Sequence, residues 1–293
     1  MESKDLRISV VTPSFNQAEF LEQTILSVIG QNYSELEYII MDGGSTDGSV
    51  EIIRKYEKKL SFWISEKDNG QSHAINKGFN RATGDILLWL NSDDMLLPNV
   101  LKILNEEVVK RGDAVYFGNC IHFEETDKLK TWGSNALGLA RNADIKDVDY
   151  IIQPSSFWTR KVYEDIGPLS ESLHYGFDWE WFIRARIAGI PFFPVNKVLS
   201  LYRIHEKHKS SEGSGKRSSE LLSIVRKYNP DKAELFELLI QEKRSRKTNS
   251  RVQNLFSGIL NKPVSYGHYL KFSSYQKYKK FSAKDINALA EML

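Results

Sequence analysis

Ile86-Leu87-Leu88-Trp89-Leu90 runs without a polar break straight into Asn91-Ser92-Asp93-Asp94. An apolar run this short, bounded by polar residues, fits a strand buried on both faces. Such strands belong to parallel sheets, whose members are joined by helical crossovers. Ligands of open α/β sheets sit just beyond the carboxyl ends of the strands, where Asp93 and Asp94 fall. Two adjacent carboxylates repel each other unless a positive charge lies between or beside them. A divalent cation with oxygen ligands meets that need, and such cations commonly carry phosphate oxygens as their other ligands. A plainer reading stays open here: Asp favours helix amino termini, and the pair could cap the helix that follows.

The rest of the chain agrees with alternation. Residues 8–12 form a β-branched run that Pro13 breaks, and 19–29 carry apolar residues at a helical period. A second strand over 36–41 enters the glycine-rich loop 42–49, and a helix over 50–60 follows, capped by Asp47 or Ser49. A strand at 62–65, a helix over 72–82 and a strand over 85–90 complete this half. Further on, the pattern predicts helices over 101–109 and 177–188, strands over 114–122 and 195–202, and a polar, irregular stretch over 123–149. Strands alternating with helices and lacking hairpin signals predict a mostly parallel sheet with right-handed crossovers and helices on both faces. Residues 210–215 are the best linker candidate, and helices over 218–228, 232–242 and from 283 onward form a helical C-terminal extension. The expected division is a body over 1–215, split near 122 into two halves (1–122 and 123–215), and an extension over 216–293.

Charge is unevenly spread. Through residue 202 there are 21 Lys and Arg against 29 Asp and Glu, whereas from Arg203 onward there are 19 against 9. A basic tail suits an anionic partner such as a membrane surface or a lipid-linked phosphate, or it is simply a solvated helical surface. Aromatic residues interleave with lysines between Tyr269 and Phe281, a composition that suits a membrane interface. No apolar stretch approaches the ~20 residues needed to span a bilayer. Cys120 is the only cysteine, which fits a reducing compartment. The charged residues after Met1 do not read as a secretory signal, so the expected location is the cytoplasm, at the inner face of the cell membrane. Nothing in the chain suggests nucleic-acid binding.

Four motifs in order resemble family 2 glycosyltransferases. They are 10–16 (VVTPSFN), 41–49 (MDGGSTDGS), Asn69-Gly70 with 74–78 (AINKG), and 90–94 (LNSDD), and the likeness covers roughly residues 8–211. The resemblance implies a GT-A fold and an inverting transfer of sugar from a nucleotide-diphospho donor, a UDP-sugar by this reading, to a glycan or lipid-linked acceptor. It places Thr12, Pro13 and Ser14 in a nucleobase pocket, Asp42 on the base, and Asn69, Gly70 and Lys77 toward the donor. The family's Asp-x-Asp metal motif falls on Asn91-Ser92-Asp93. Asp93 is then the main ligand of a Mn²⁺ or Mg²⁺ ion, with an amide where the first carboxylate belongs. Many members also carry a second Asp where this chain has Gly43.

In the second half, Asp178 falls on the family's general-base position, with Glu180 as fallback. Such a base takes the proton from the attacking acceptor hydroxyl. Arg203, His205 and Lys209 resemble the segment that closes over the diphosphate, His205 as a metal ligand and the two cations as phosphate contacts. Gln153, Trp158 and Trp179 are expected on the acceptor side. Two other classes are compatible with the residues: a non-catalytic nucleotide-sugar or glycan-binding module, which Asn91 favours, and a metal-dependent nucleotidyltransferase. The latter calls for a cationic phosphate loop after the first strand, and Pro13-Ser14-Phe15-Asn16 supplies no cation.

Overall fold

The structure is a computed structural model, and it describes residues 5–125, 129–206, 214–245, 270–271, 275–290 and 292. The chain divides into two compact units. One comprises Met1–Asn142 with Tyr150–Glu212, and the other Ala143–Asp149 with Gly213–Leu293.

The first unit is built on a nine-stranded sheet in the order β3-β2-β1-β4-β8-β6-β9-β5, with β7 paired to β6. Its leading four strands, β1 (Ile8–Ser14), β2 (Leu36–Asp42), β3 (Phe62–Ser65) and β4 (Ile86–Trp89), are parallel to one another. All seven residues of β1 and all four of β4 are buried, as continuous apolar strands in a two-sided sheet require. Helices α1 (Ala18–Ile29), α2 (Ser49–Tyr56) and α3 (Gln71–Arg81) make the crossovers. Gly78 lets α3 lie close against β1, because a Cβ there would fall 2.3 Å from Val11 Cγ1.

The second half of the sheet is mixed. Strand β5 (Met95–Leu96) runs antiparallel to β9 (Phe192–Ile204), and β8 (Ser156–Thr159) runs antiparallel to both β4 and β6 (Val115–Glu125). β6 and β9 are parallel to each other. The stretch expected to be irregular from residue 123 onward instead extends β6 to Glu125 and pairs it with β7 (Leu129–Gly133) as an antiparallel partner. Every residue of β7 is exposed, so the strand carries no apolar alternation from which sequence could read it.

Helices α4 (Val100–Arg111), α5 (Ala136–Ala140), α6 (Arg160–Ile166) and α7 (Phe177–Ile187) complete the unit. A packed aromatic cluster joins β4, β8 and α7: the Trp158 ring lies 5.5 Å from Trp89 and 4.5 Å from Trp181.

Among its described residues the second unit carries helices α8 (Ser214–Tyr228), α9 (Ala233–Ser245), α10 (Tyr275–Tyr278) and α11 (Ala283–Ala290). Leu221, Ile224, Phe236, Leu239, Tyr278 and Ile286 are buried in its core. Lys232 is shared between Asp147 at 2.9 Å and Asp285 at 3.1 Å, which ties the short segment Ala143–Asp149 into this unit rather than into the 123–215 half where it was expected. Among the described residues, no helix is long and apolar enough to cross a membrane.

Candidate active site

In a parallel α/β layout the strands end, and the following helices begin, along one edge of the sheet. At that edge β1 ends at Ser14, β2 at Asp42, β3 at Ser65 and β4 at Trp89. Ser14 pairs with Asp42, and Asp42 with Ser65.

The loops after β1 and β2 are laced together. Asn16 accepts the Thr46 amide at 2.9 Å and donates its own amide to Ser45 Oγ at 2.8 Å. Asp47 accepts the Ala18 amide at 2.9 Å and the Ser49 hydroxyl at 2.6 Å, so one carboxylate serves the amino termini of α1 and α2. Partial burial works to raise the Asp47 pKa, but the donors from Ser49 and Ala18 outweigh it and hold the carboxyl below its ordinary range.

Asp42 is 2% exposed. Its carboxylate accepts the Gly44 amide at 3.1 Å, the Ser45 amide at 2.9 Å, the Ser45 hydroxyl at 2.5 Å and the Ser65 hydroxyl at 2.6 Å. It shapes the loop and holds few lone pairs open to a base. Thr12 is fully buried and bonded to the Tyr38 hydroxyl at 3.1 Å, so it lies beneath the edge rather than lining a pocket. Pro13 is buried beside it. Ser14 differs: it is 3% exposed, and among the described residues its hydroxyl has no hydrogen-bond partner.

Three residues at this edge were passed over by the motif reading. Phe15, 59% exposed, stands after β1, and a Cβ on Gly43 would fall 3.2 Å from its ring and 2.7 Å from Asp68 Oδ2. Gly43 therefore leaves the space into which an aromatic ring and a carboxylate converge. Gln71, the first residue of α3, donates to Asn91 Oδ1 at 2.8 Å. The available signals were an apolar residue in a loop and an acid directly before Asn69-Gly70. Gly70 takes φ +114° ahead of α3, and the Asn69 amide donates to His73 Nδ1 at 3.3 Å. Lys77 is ion-paired with Glu66, just past β3.

The segment after β4 separates its two carboxylates. Asp94 turns inward, 2% exposed, and accepts the Arg203 amide at 3.1 Å. Burial, then the neighbouring Asp93, push its carboxyl well above the ordinary range. Asp93 turns outward, with Oδ2 3.1 Å from His205 Nε2. Asn91 joins an amide network: its Nδ2 lies 3.2 Å from Gln153 Oε1 and 3.4 Å from Asp94 Oδ2, and Gln153 donates to the Trp89 carbonyl at 2.9 Å. Ser92 is buried in the same turn.

Several expected ligand contacts are placed otherwise. Arg203 is 1% exposed, between the rings of Phe20 and Phe123 at 4.8 and 4.5 Å. Its guanidinium bonds Glu125 and Gln23 and donates to the Asp93 carbonyl at 3.1 Å, so it fixes the Asp93 backbone instead of facing a diphosphate. Trp158 and Trp179 are fully buried and present no face to a sugar. Gln153, 7% exposed, belongs to the amide network rather than to an acceptor surface. Glu180 is 4% exposed and bonded to Arg184 at 2.9 Å, which removes it as a fallback base. Lys209 lies outside the described residues.

Asp178 stands in the first turn of α7, accepting the Trp179 amide at 2.8 Å. The ring of Phe177 packs 6.1 Å from Trp89, the last residue of β4, so α7 begins over the same edge as Asp93. A cleft of about 590 Å³ opens on another side of the 42–48 loop, between α2 and β3. It shares Ser45 and Ser65 with the Asp42 cradle but not Asp93 or His205.

Comparison with known proteins agrees with this layout. The family model "Glycosyl transferase family 2" matches residues 9–168. The chain is 24% identical over 219 residues to GalNAc(5)-diNAcBac-PP-undecaprenol beta-1,3-glucosyltransferase of Campylobacter jejuni, a match covering 72% of this chain and 69% of that protein. It is 30% identical over 123 residues to glycosyltransferase GlyG of Streptococcus pneumoniae, covering 41% of each. That second match spans less than half the length of GlyG. Among solved structures, S. aureus TarS in complex with UDP-GlcNAc superposes with a TM-score of 0.63 at 16% identity, over 98% of this chain and 91% of that one. The mannosyltransferase PcManGT of Pyrobaculum calidifontis, in complex with GDP-Man and Mn²⁺, gives 0.61 at 13% identity, over 99% and 87%. With the matched model spanning more than half of its residues and the sheet carrying the expected edge, this chain belongs to glycosyl transferase family 2 and is a glycosyltransferase of the GT-A fold.

Proposed function

We propose that the protein transfers a sugar, with inversion, from a UDP-sugar to a hydroxyl of a glycan or lipid-linked acceptor. The observation that carries this reading is the Asp93–His205 pair at the carboxyl edge of the parallel strands. The donor set fits a divalent cation. Adjacent ligands of an octahedral ion at about 2.1 Å lie about 3 Å apart, which matches the 3.1 Å between Asp93 Oδ2 and His205 Nε2. Among the described residues no third acid, His or Cys joins them, so phosphate oxygens and water would complete the shell. A Mn²⁺ or Mg²⁺ ion held there would offset charge on the departing nucleoside diphosphate.

The remaining roles follow from the side chains. Ser14 brings a buried hydroxyl that a donor hydrogen bond would satisfy. Phe15 offers a ring face to the base, and Asp68 Oδ2 beside it offers an acceptor for an imide N–H, while Asp42 keeps the loop in shape. Asp178 takes the proton of the acceptor hydroxyl as that oxygen attacks the anomeric carbon opposite the leaving group. The match to a protein named for an undecaprenol-linked substrate supports a lipid-linked acceptor, with the basic second unit near a membrane surface.

The test compares wild type, Asp178→Asn and Asp93→Asn for UDP-sugar binding and turnover with and without Mn²⁺. D178N is expected to bind donor normally and lose about 10²- to 10⁴-fold in kcat. D93N is expected to lose the Mn²⁺-dependent part of donor binding. Full turnover by D178N would overturn the assigned base, and Mn²⁺-stimulated binding by D93N would overturn the metal site.

A further inference from the structure

An aromatic row on β7, β6 and β9, exposed at Trp132 and half-buried at His122 and Tyr202, has no part in the donor site. Of the six tryptophans, four are buried to 1% or less, whereas Trp132 is 46% exposed. It lies opposite His122, which in turn lies opposite Tyr202. The His122 ring is parallel to the Trp132 indole, 9° between planes and 5.6 Å between centroids, and meets Tyr202 edge-on at 5.2 Å. Cys120 Sγ sits 3.5 Å from His122 Nε2 and helps hold the imidazole. One indole face is thus backed by a fixed ring. β7 pairs with β6 alone, so the indole's exposure lies toward the outer side of the sheet. The Lys130–Glu124 ion pair, 3.0 Å, is the next cross-strand pair on the same face and supplies a polar rim.

A rigid indole with one open face and polar neighbours suits a pyranose ring, whose C–H bonds meet the negative π face while its hydroxyls reach the rim. Burial lowers the His122 pKa, so the backing ring is uncharged at neutral pH. β6 and β9 run in parallel toward the reacting edge, and His205 follows Tyr202 by three residues. At about 3.3 Å per residue and about 4.8 Å between strands, the Trp132 backbone stands about 14 Å from that of His205, whose ring packs with Phe20 on the Arg203 side of β9, so a chain of about two or three sugar units spans from the reacting edge to Trp132.

We propose that Trp132, backed by His122 and Tyr202, is a subsite for a sugar of the acceptor glycan two or three units from its reacting end. The inference rests on the glycosyltransfer reading above and extends it to an acceptor that is an oligosaccharide chain rather than a single sugar.

The test labels the full chain with 5-fluorotryptophan and assigns the Trp132 resonance with Trp132→Phe. Tetrasaccharides of β-linked glucose, N-acetylglucosamine and N-acetylgalactosamine are the probes. At least one is expected to shift the Trp132 signal, which UDP-sugar leaves in place. W132A should weaken that tetrasaccharide's Kd about tenfold, about 1.4 kcal/mol, with W132Y restoring most of it and donor affinity unchanged. No shift with any tetrasaccharide, or equal Kd for W132A and wild type, overturns the subsite. Donor turnover without a Trp132 response would fail this inference alone. A Trp132 response without donor binding would fail the glycosyltransfer reading and leave the subsite standing.

Discussion

Glu37, near the start of β2, pins the edge of the parallel strands opposite the site, and replacing it with Gln tests how that pin works. The side chain is 6% exposed. One carboxylate oxygen accepts Arg7 Nη2 at 3.1 Å and the Thr83 hydroxyl at 2.8 Å. The other accepts the Ser9 hydroxyl at 2.5 Å and the Thr83 amide at 2.6 Å. A glutamine can keep one pair only, because its amide nitrogen donates toward the other two donors. Arg7 is half exposed and rehydrates, and the Thr83 hydroxyl can turn, so the loss should be about 2 kcal/mol rather than the sum of two buried orphans. Burial alone would raise the Glu37 pKa, but the Ser9 and Thr83 donors and Arg7 outweigh it and hold the carboxyl below its ordinary range. A depressed folded pKa stabilises above the unfolded pKa near 4.5 and ceases to do so as pH falls through the lower folded value. E37Q lacks this dependence. The difference between wild type and variant should be full at pH 7 and shrink below about pH 4.5. Urea unfolding followed by tryptophan fluorescence reads it, since all six tryptophans lie in the first unit. A difference under about 0.5 kcal/mol at pH 7, or one that is the same at both pH values, would refute the reasoning.

Two further substitutions separate structural from ligand-binding roles. Arg203→Met removes a guanidinium between two phenyl rings and its bond to the Asp93 carbonyl, and should cost about 2–4 kcal/mol together with Mn²⁺-dependent UDP binding; unchanged urea stability with weakened UDP binding would instead mark it as a direct phosphate contact. Asn91→Asp puts an oxygen where Nδ2 now lies 3.2 Å from Gln153 Oε1 and 3.4 Å from Asp94 Oδ2, and Gln153 cannot reverse its amide without losing the Trp89 carbonyl. Metal-free stability should fall by about 1–3 kcal/mol, with MnCl₂ restoring part of the melting temperature; equal metal-free stability would refute the amide network.

The donor half was readable because its elements obey simple periodicities. Ile86–Trp89 is a continuous apolar run, α1 has a helical stripe, and loop 42–49 is dense in glycine, and each became the element expected. In the second half α7 and β9 also fall where expected, whereas β7 and β8 were not read, since the strands there are mixed in direction and β7 has no buried face. Trp158, Trp179 and Gln153 look the same in sequence whether they stack on sugars or fill a core. Their burial is decided by β8 slotting between β4 and β6, a long-range pairing that no local pattern encodes. Arg203 misleads for a related reason: a cation near a phosphate motif also neutralises and aligns the acidic backbone around it, and here the two phenylalanines claim its faces.

Neither member of the Asp93-Asp94 pair caps the helix that follows, since β5 intervenes and Asn99 stands at the start of α4. Adjacent carboxylates cannot both face one cation-binding space without repelling each other when it is empty, and neither can both be buried. The turn after β4 solves this by direction. Asp94 goes inward onto the Arg203 amide, with its peptide carbonyl accepting the Thr24 hydroxyl at 2.7 Å. Asp93 is then obliged to point outward at His205. The buried acid is therefore the anchor, and the partly exposed one is the ligand of the proposed cation. The amide at Asn91 follows from the same constraint, because a third carboxylate would crowd Asp94 while a neutral donor holds it. On the proposed reading, a strand end with one outward carboxylate and a facing imidazole would need the phosphates of its substrate to complete a cation shell, which would couple metal affinity to donor binding.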